Sequence, residues 1–77
     1  MEASDVRDLV LGAFPEAEVN VDIVGGHYNV TVVCASFEGV RSVARQQKVY
    51  APLMSRIADG SMHAVNIRAL APSEMEP

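Results

Sequence analysis

Residues 18–34 read EVNVDIVGGHYNVTVVC, two runs of alternating apolar and polar residues joined by Gly25-Gly26. Val19, Val21 and Ile23 alternate with Asn20 and Asp22 before the glycines, and Tyr28, Val30, Val32 and Cys34 alternate after them. Period-two alternation around a two-residue glycine turn predicts a β-hairpin. The turn makes its own prediction of register: Val24 opposite His27, Ile23 opposite Tyr28, Val21 opposite Val30 and Val19 opposite Val32. Every apolar pair then falls on one face, so turn chemistry and hydrophobic pattern agree. Cys34 continues the apolar side and is expected to be a small core residue rather than a reactive thiol.

Ahead of the hairpin, Val6, Leu9, Val10, Ala13 and Phe14 recur at helical spacing. Ser4 is the expected N-cap, Asp5 and Asp8 suit the positive end of the helix dipole, and Pro15 stops the helix. After the turn-like SFEG, residues 41–58 place Val43, Tyr50, Leu53, Met54 and Ile57 on one predicted helix face. At about 100° per residue, Arg41, Arg45, Lys48 and Arg56 gather on the other. Pro52 has no N–H for the helical ladder, so a kink or a first helix ending near Lys48 or Val49 is expected. Asp59-Gly60 supplies a stop. MHAVNIRAL then alternates His63, Val65, Ile67 and Ala69 against Met62, Ala64, Asn66 and Arg68, a third strand. The predicted order is α-β-β-α-(α)-β: one α+β domain with a three-stranded mixed sheet and helices on one face. Its core spans about residues 4–72, with 73–77 a short turn or frayed tail.

Length and composition limit what such a domain does. A chain of 77 residues buries only roughly 60% of its unfolded surface, which makes a deep enclosed active site improbable. Aliphatic residues must form the core, because only 5% of the chain is aromatic. No apolar run approaches the roughly 20 residues that cross a bilayer, and the start MEASDVRDL is acidic where a signal peptide is basic. A cytoplasmic location without membrane association is expected, and the single cysteine is consistent with a reducing compartment. There is no phosphate-binding glycine loop, no carboxylate pair placed to meet in a cleft, and no nucleophile with a credible base. No catalytic residue is assigned, and an enzyme is not expected.

Two features remain. The net charge of -4 is uneven: residues 39–58 carry +4 and the rest -8, which suggests an anion-seeking face on an acidic body. The two histidines, His27 and His63, each stand near a glycine at the start of a strand. A strand-helix-strand crossover normally makes its strands parallel, so both strands begin at one end of the sheet. Neighbouring strands lie about 4.8 Å apart, near enough for the imidazoles to share a ligand. Strict pleating points them apart, His63 in phase with Val65 and His27 with Asn29, and convergence requires that the pleat not yet be imposed at the strand starts. Judged by spacing alone, they read as ordinary half-exposed histidines.

The residues FEG at 37–39, RQQ at 45–47 leading into Val49-Tyr50, and MHA at 62–64 before a strand ending in Ala-Pro resemble the BolA family. QQKVYAPLM and IADGSMHAVNI are closest to its IbaG-like branch, and the resemblance runs from about Val6 to Pro72. It implies a fold like a class II KH domain. It further implies pairing with a monothiol glutaredoxin around a bridging two-iron, two-sulfur cluster, in iron-sulfur trafficking or iron and stress regulation. His63 maps to the family's constant ligand, His27 is the candidate second ligand from the loop between the first strands, and a glutaredoxin cysteine and glutathione complete the set. Histidine does replace thiolates on one iron of such clusters. The isolated chain would then hold no cofactor, and a weak homodimer is the alternative assembly. The runner-up that the resemblance implies is a DNA-binding regulator of the acid and envelope stress response, with Arg41, Arg45, Lys48 and Arg56 on phosphates. The KH Gly-x-x-Gly clamp is missing, since Val40, Arg41 and Ser42 follow Gly39.

Overall fold

The computed structural model describes residues 2–62 and 64–75; His63, Met1, Glu76 and Pro77 lie outside the described residues. The elements are α1 (Ala3–Ala13), β1 (Glu18–Val24), β2 (His27–Val33), α2 (Ser42–Tyr50), α3 (Met54–Ala58) and β3 (Ala64–Leu70). Short 3-10 turns cover Ala35–Phe37, Ala51–Leu53 and Pro72–Met75.

β1 and β2 pair antiparallel in the expected register, Val24 with His27, Ile23 with Tyr28, Val21 with Val30 and Val19 with Val32. Gly25 and Gly26 have φ of 55° and 82°, the left-handed values that a tight primed turn demands and that glycine adopts without a Cβ clash. β3 joins β2 in parallel, giving the sheet order β1-β2-β3.

One face of the sheet is covered. Tyr28, Val30 and Val32 of β2 and Val19 of β1 are buried there with Val6 and Val10 of α1, Val49 of α2, Leu53, Phe37 and Met62. Cys34 belongs to the same core, its Sγ 3.1 Å from the Ser36 hydroxyl. Phe37 is fully buried, with its ring centroid 5.4 Å from that of Phe14 at a tilt of 59°. The opposite face, with Asn20, Asp22, His27, Asn66 and Arg68, is open to solvent.

Two expectations are corrected. Ser4 lies inside α1, whose N-cap is Glu2: the Glu2 N–H donates to Asp5 Oδ2 at 3.0 Å while the Asp5 N–H bonds the Glu2 carbonyl. This reciprocal pair starts the helix earlier than the serine would. The second correction concerns α2, which is rotated relative to the predicted face. Arg45 and Val49 are buried, whereas Val43 is 66% exposed and, in α3, Met54 is 61% exposed. Pro52 breaks the helix as expected, but the break falls after Tyr50 and is bridged by the 3-10 turn. After β3, residues 72–75 take the short-turn alternative of the two expected, as a 3-10 turn. Ala71 is fully buried, the Glu74 N–H bonds the Ala71 carbonyl, and the Glu74 carboxylate accepts from the Ala71 N–H at 3.0 Å.

Candidate functional site

The geometry of the hairpin end follows from the sheet register. His27 opens β2, paired with Val24 on one side and with Ala64 on the other. Ala64 is the residue that follows His63 in the chain, so the sheet brings the segment bearing the second predicted ligand to the flank of His27. His63 itself lies outside the described residues.

His27 is exposed and in the ladder, so the pleat is already imposed at this strand start. That removes the escape from strict alternation at His27, so convergence of the two imidazoles rests on His63, which lies outside the described residues. A residue paired on both sides takes the orientation of its strand, and His27 shares the uncovered face with Asn29 and Thr31. One pleat step along this face, Asn66 Nδ2 donates to Asn29 Oδ1 at 3.1 Å, tying β2 to β3 by side chains as well as backbone. Among the described residues, His27 makes no side-chain hydrogen bond or ion pair, leaving its ring nitrogens available.

The approach to β3 is fixed from the other direction. Met62 is 1% exposed and its N–H donates to the Arg56 carbonyl at 3.2 Å. Just before it, the Asp59 carboxylate accepts from the Ser61 N–H at 2.9 Å. Hydrogen bonds from the Ser61 side chain and backbone hold the Asp59 carboxyl below its usual range. Cys34 is remote from this end, since it stands seven residue steps from His27 along an extended strand at about 3.3 Å each. Among the described residues no three His, Cys, Asp or Glu side chains converge on a metal position.

The four predicted phosphate contacts separate into two kinds. Arg41, Lys48 and Arg56 are exposed, though Arg56 shares a groove of about 420 Å³ with Asp5, Asp8 and Leu9. Arg45 is not on the outer face at all. Its Nε donates to the Val40 carbonyl at 2.7 Å, Nη1 to the Ala69 carbonyl at 3.2 Å, and Nη1 and Nη2 to the two carboxylate oxygens of Glu74 at 2.5 and 2.9 Å. These bonds use up the fork that a phosphate would need. The role of Glu74 escapes a local reading because its partner lies 29 positions away. The Arg45 fork is the main reason the Glu74 carboxyl is lowered from about 4.5 to about 2, with the Ala71 N–H adding to it.

Comparison with known proteins agrees with this architecture. The profile of the family described as "BolA-like protein" matches residues 15–74. An uncharacterized protein of the rpoN-murA intergenic region of Acinetobacter guillouiae is 46% identical over 74 residues, 96% of this chain and 89% of the relative. The acid stress protein IbaG of Escherichia coli K12 is 40% identical over 74 residues, 96% of this chain and 88% of the relative. Among solved structures, a BolA homologue from Coxiella burnetii superposes with a TM-score of 0.84 at 26% identity, covering 100% of this chain and 99% of that one. BolA1 from Arabidopsis thaliana gives 0.80 at 30% identity, over 99% and 100% of the two chains. With the α-β-β-α-α-β order, the mixed sheet and these matches in hand, the chain belongs to the BolA-like family, on its IbaG-like side.

Proposed function

We propose that this protein is a binding module that pairs with a monothiol glutaredoxin and holds one side of a bridging two-iron, two-sulfur cluster, serving iron-sulfur trafficking or iron and stress regulation. The observation that carries the reading is the register of His27 with Ala64, which sets an exposed imidazole beside the strand entered from His63. Membership of the family, and the likeness to a relative named for acid stress, support it.

The residues present fit such a group as a partial ligand set. His27 offers a solvent-facing ring nitrogen, His63 is the second candidate, and imidazoles on one iron are compatible with thiolates on the other. Those thiolates would come from a glutaredoxin cysteine and glutathione, because Cys34 is buried in the core away from the hairpin. When bound, the cluster supplies iron and an electron-accepting centre. The chain's own contribution is to orient: the ladder on both sides of His27, the Asn29–Asn66 bond and the buried Met62 hold the backbone around the ligand positions. Co-expression with a monothiol glutaredoxin tests the proposal, the expected result being a coloured complex with visible absorption and circular dichroism that neither protein gives alone.

A nucleic-acid role would draw on fewer residues than its sequence suggests, since Arg45 spends its donors inside the fold. For that reason cluster binding is the reading we adopt.

A further inference from the structure

Among the described residues, the exposed large apolar side chains fall into two groups. Ile23 (38% exposed) and Val24 (58%) close β1, and Val43 (66%) and Met54 (61%) lie on α2 and α3. The charges divide the same way. Residues 8–40 contain Asp8, Glu16, Glu18, Asp22 and Glu38 and not one lysine or arginine, and residues 39–58 contain only cations. Glu18 and Asp22, both exposed, lie along β1 toward Ile23 and Val24. Arg41 and Lys48 are exposed and without an acidic residue in their segment; Arg41, Val43, Ala44 and Gln47 line a shallow groove of about 230 Å³, and Lys48 follows Ala44 by about one helical turn.

The fold keeps these two patches apart. β1 is one edge of the sheet and β3 the other, and α2 lies along β3, where Arg45 Nη1 reaches the Ala69 carbonyl. An acidic-apolar patch at one edge and a cationic-apolar patch at the other satisfy each other only between molecules. We propose that copies of this chain associate head to tail, the Arg41–Val43–Lys48 face of one copy seated on the Asp22–Ile23–Val24 end of the next. A pairing of unlike surfaces is heterologous and has no built-in closure, so it grows beyond a dimer as concentration rises. Each contact rests on a few side chains and a small number of charges, which makes it weak and reversible. Neither histidine is used, so the inference stands apart from the cluster reading. Val24 is nevertheless the ladder partner of His27, and a copy seated there crowds a partner docking at that imidazole.

Sedimentation analysis of the full chain and two surface variants tests it. One variant, Arg41→Glu with Lys48→Glu, removes the cationic patch; the other, Asp22→Lys with Val24→Ser, removes the acidic one. All four positions are exposed, and far-UV circular dichroism checks that both variants keep the native fold. The wild-type average mass should rise with concentration past that of two chains, and each variant alone should associate at least about tenfold more weakly. An equimolar mixture of the two variants retains one good patch of each kind and should reach the mass of a dimer and stop. A wild-type protein that stays monomeric at the highest soluble concentration overturns the proposal. So does a single-patch variant that associates as strongly as wild type, or a mixture that stays monomeric while the wild type associates.

Discussion

Arg45 and Glu74, separated by 29 positions, form a two-point ion pair that ties the last turn of the described chain to α2. The guanidinium is held independently by the Val40 and Ala69 carbonyls, so it spans the loop before α2, the end of β3 and the C-terminal turn. Glu74 adds its own bond to the Ala71 N–H, and Ser73 donates to Glu38 Oε2 at 2.8 Å, closing the same corner.

The pair makes stability depend on acid in a defined window. The Glu74 carboxyl is lowered in the folded protein from about 4.5 to about 2, chiefly by the Arg45 hydrogen bonds. A group whose folded pKa lies below its unfolded value contributes stability that is complete above the unfolded pKa and is lost as pH falls toward the folded one. Wild-type stability should therefore decline between about pH 5 and pH 2. Glu74→Gln should be less stable than wild type at pH 7 and should show a smaller decline over the same window. Denaturant melts at pH 7, 4 and 2.5 measure this. Equal pH dependence in the two proteins would remove Glu74 from the account.

Phe37 fills the centre of the core from a three-residue 3-10 turn, fully buried against Phe14. Truncation of a buried phenylalanine costs about 3–5 kcal/mol, a large share of the roughly 5–15 kcal/mol that holds a small domain together. Phe37→Ala should be largely unfolded or molten at ambient temperature by near-UV circular dichroism. Ser36→Ala, beside it and exposed, should leave the melting temperature close to wild type.

These two contacts also show where sequence reading stops. The hairpin was legible because two independent signals, the glycine pair and the alternation, demand the same register of Val19, Val21, Ile23 and their partners. The outward face of α2 was not. Helical periodicity assigns apolar residues inward, and by that rule Val43 and Met54 belong to the core and Arg45 to solvent. What turns the helix is a satisfied buried guanidinium, and the groups that satisfy it come from Val40, Ala69 and Glu74, scattered along the chain. The orientation of His27 was legible as a conflict between pleat and convergence, and the ladder resolves it toward the open face.

Nucleic-acid affinity, if measured, should have a modest electrostatic footprint. With Arg45 occupied, Arg41, Lys48 and Arg56 are the exposed cations of the former stripe. Three phosphate contacts give a slope of log K against log salt of about -3. Arg41→Ala and Lys48→Ala should each reduce the slope by about one, as read by fluorescence anisotropy with duplex DNA. A slope much steeper than this would point to a surface other than α2.

On the proposed function, the imidazoles of His27, at the start of β2, and of His63 are cluster ligands. The most direct test of that assignment is the visible circular dichroism of the complex co-expressed with a monothiol glutaredoxin, compared among wild type, His27→Ala and His63→Ala, with Asn20→Ala as an exposed control on the same sheet face. Both histidine variants should keep the fold yet change or lose the cluster spectrum, His63→Ala most severely, while Asn20→Ala should leave it unchanged. A wild-type spectrum retained in both histidine variants would contradict the assignment.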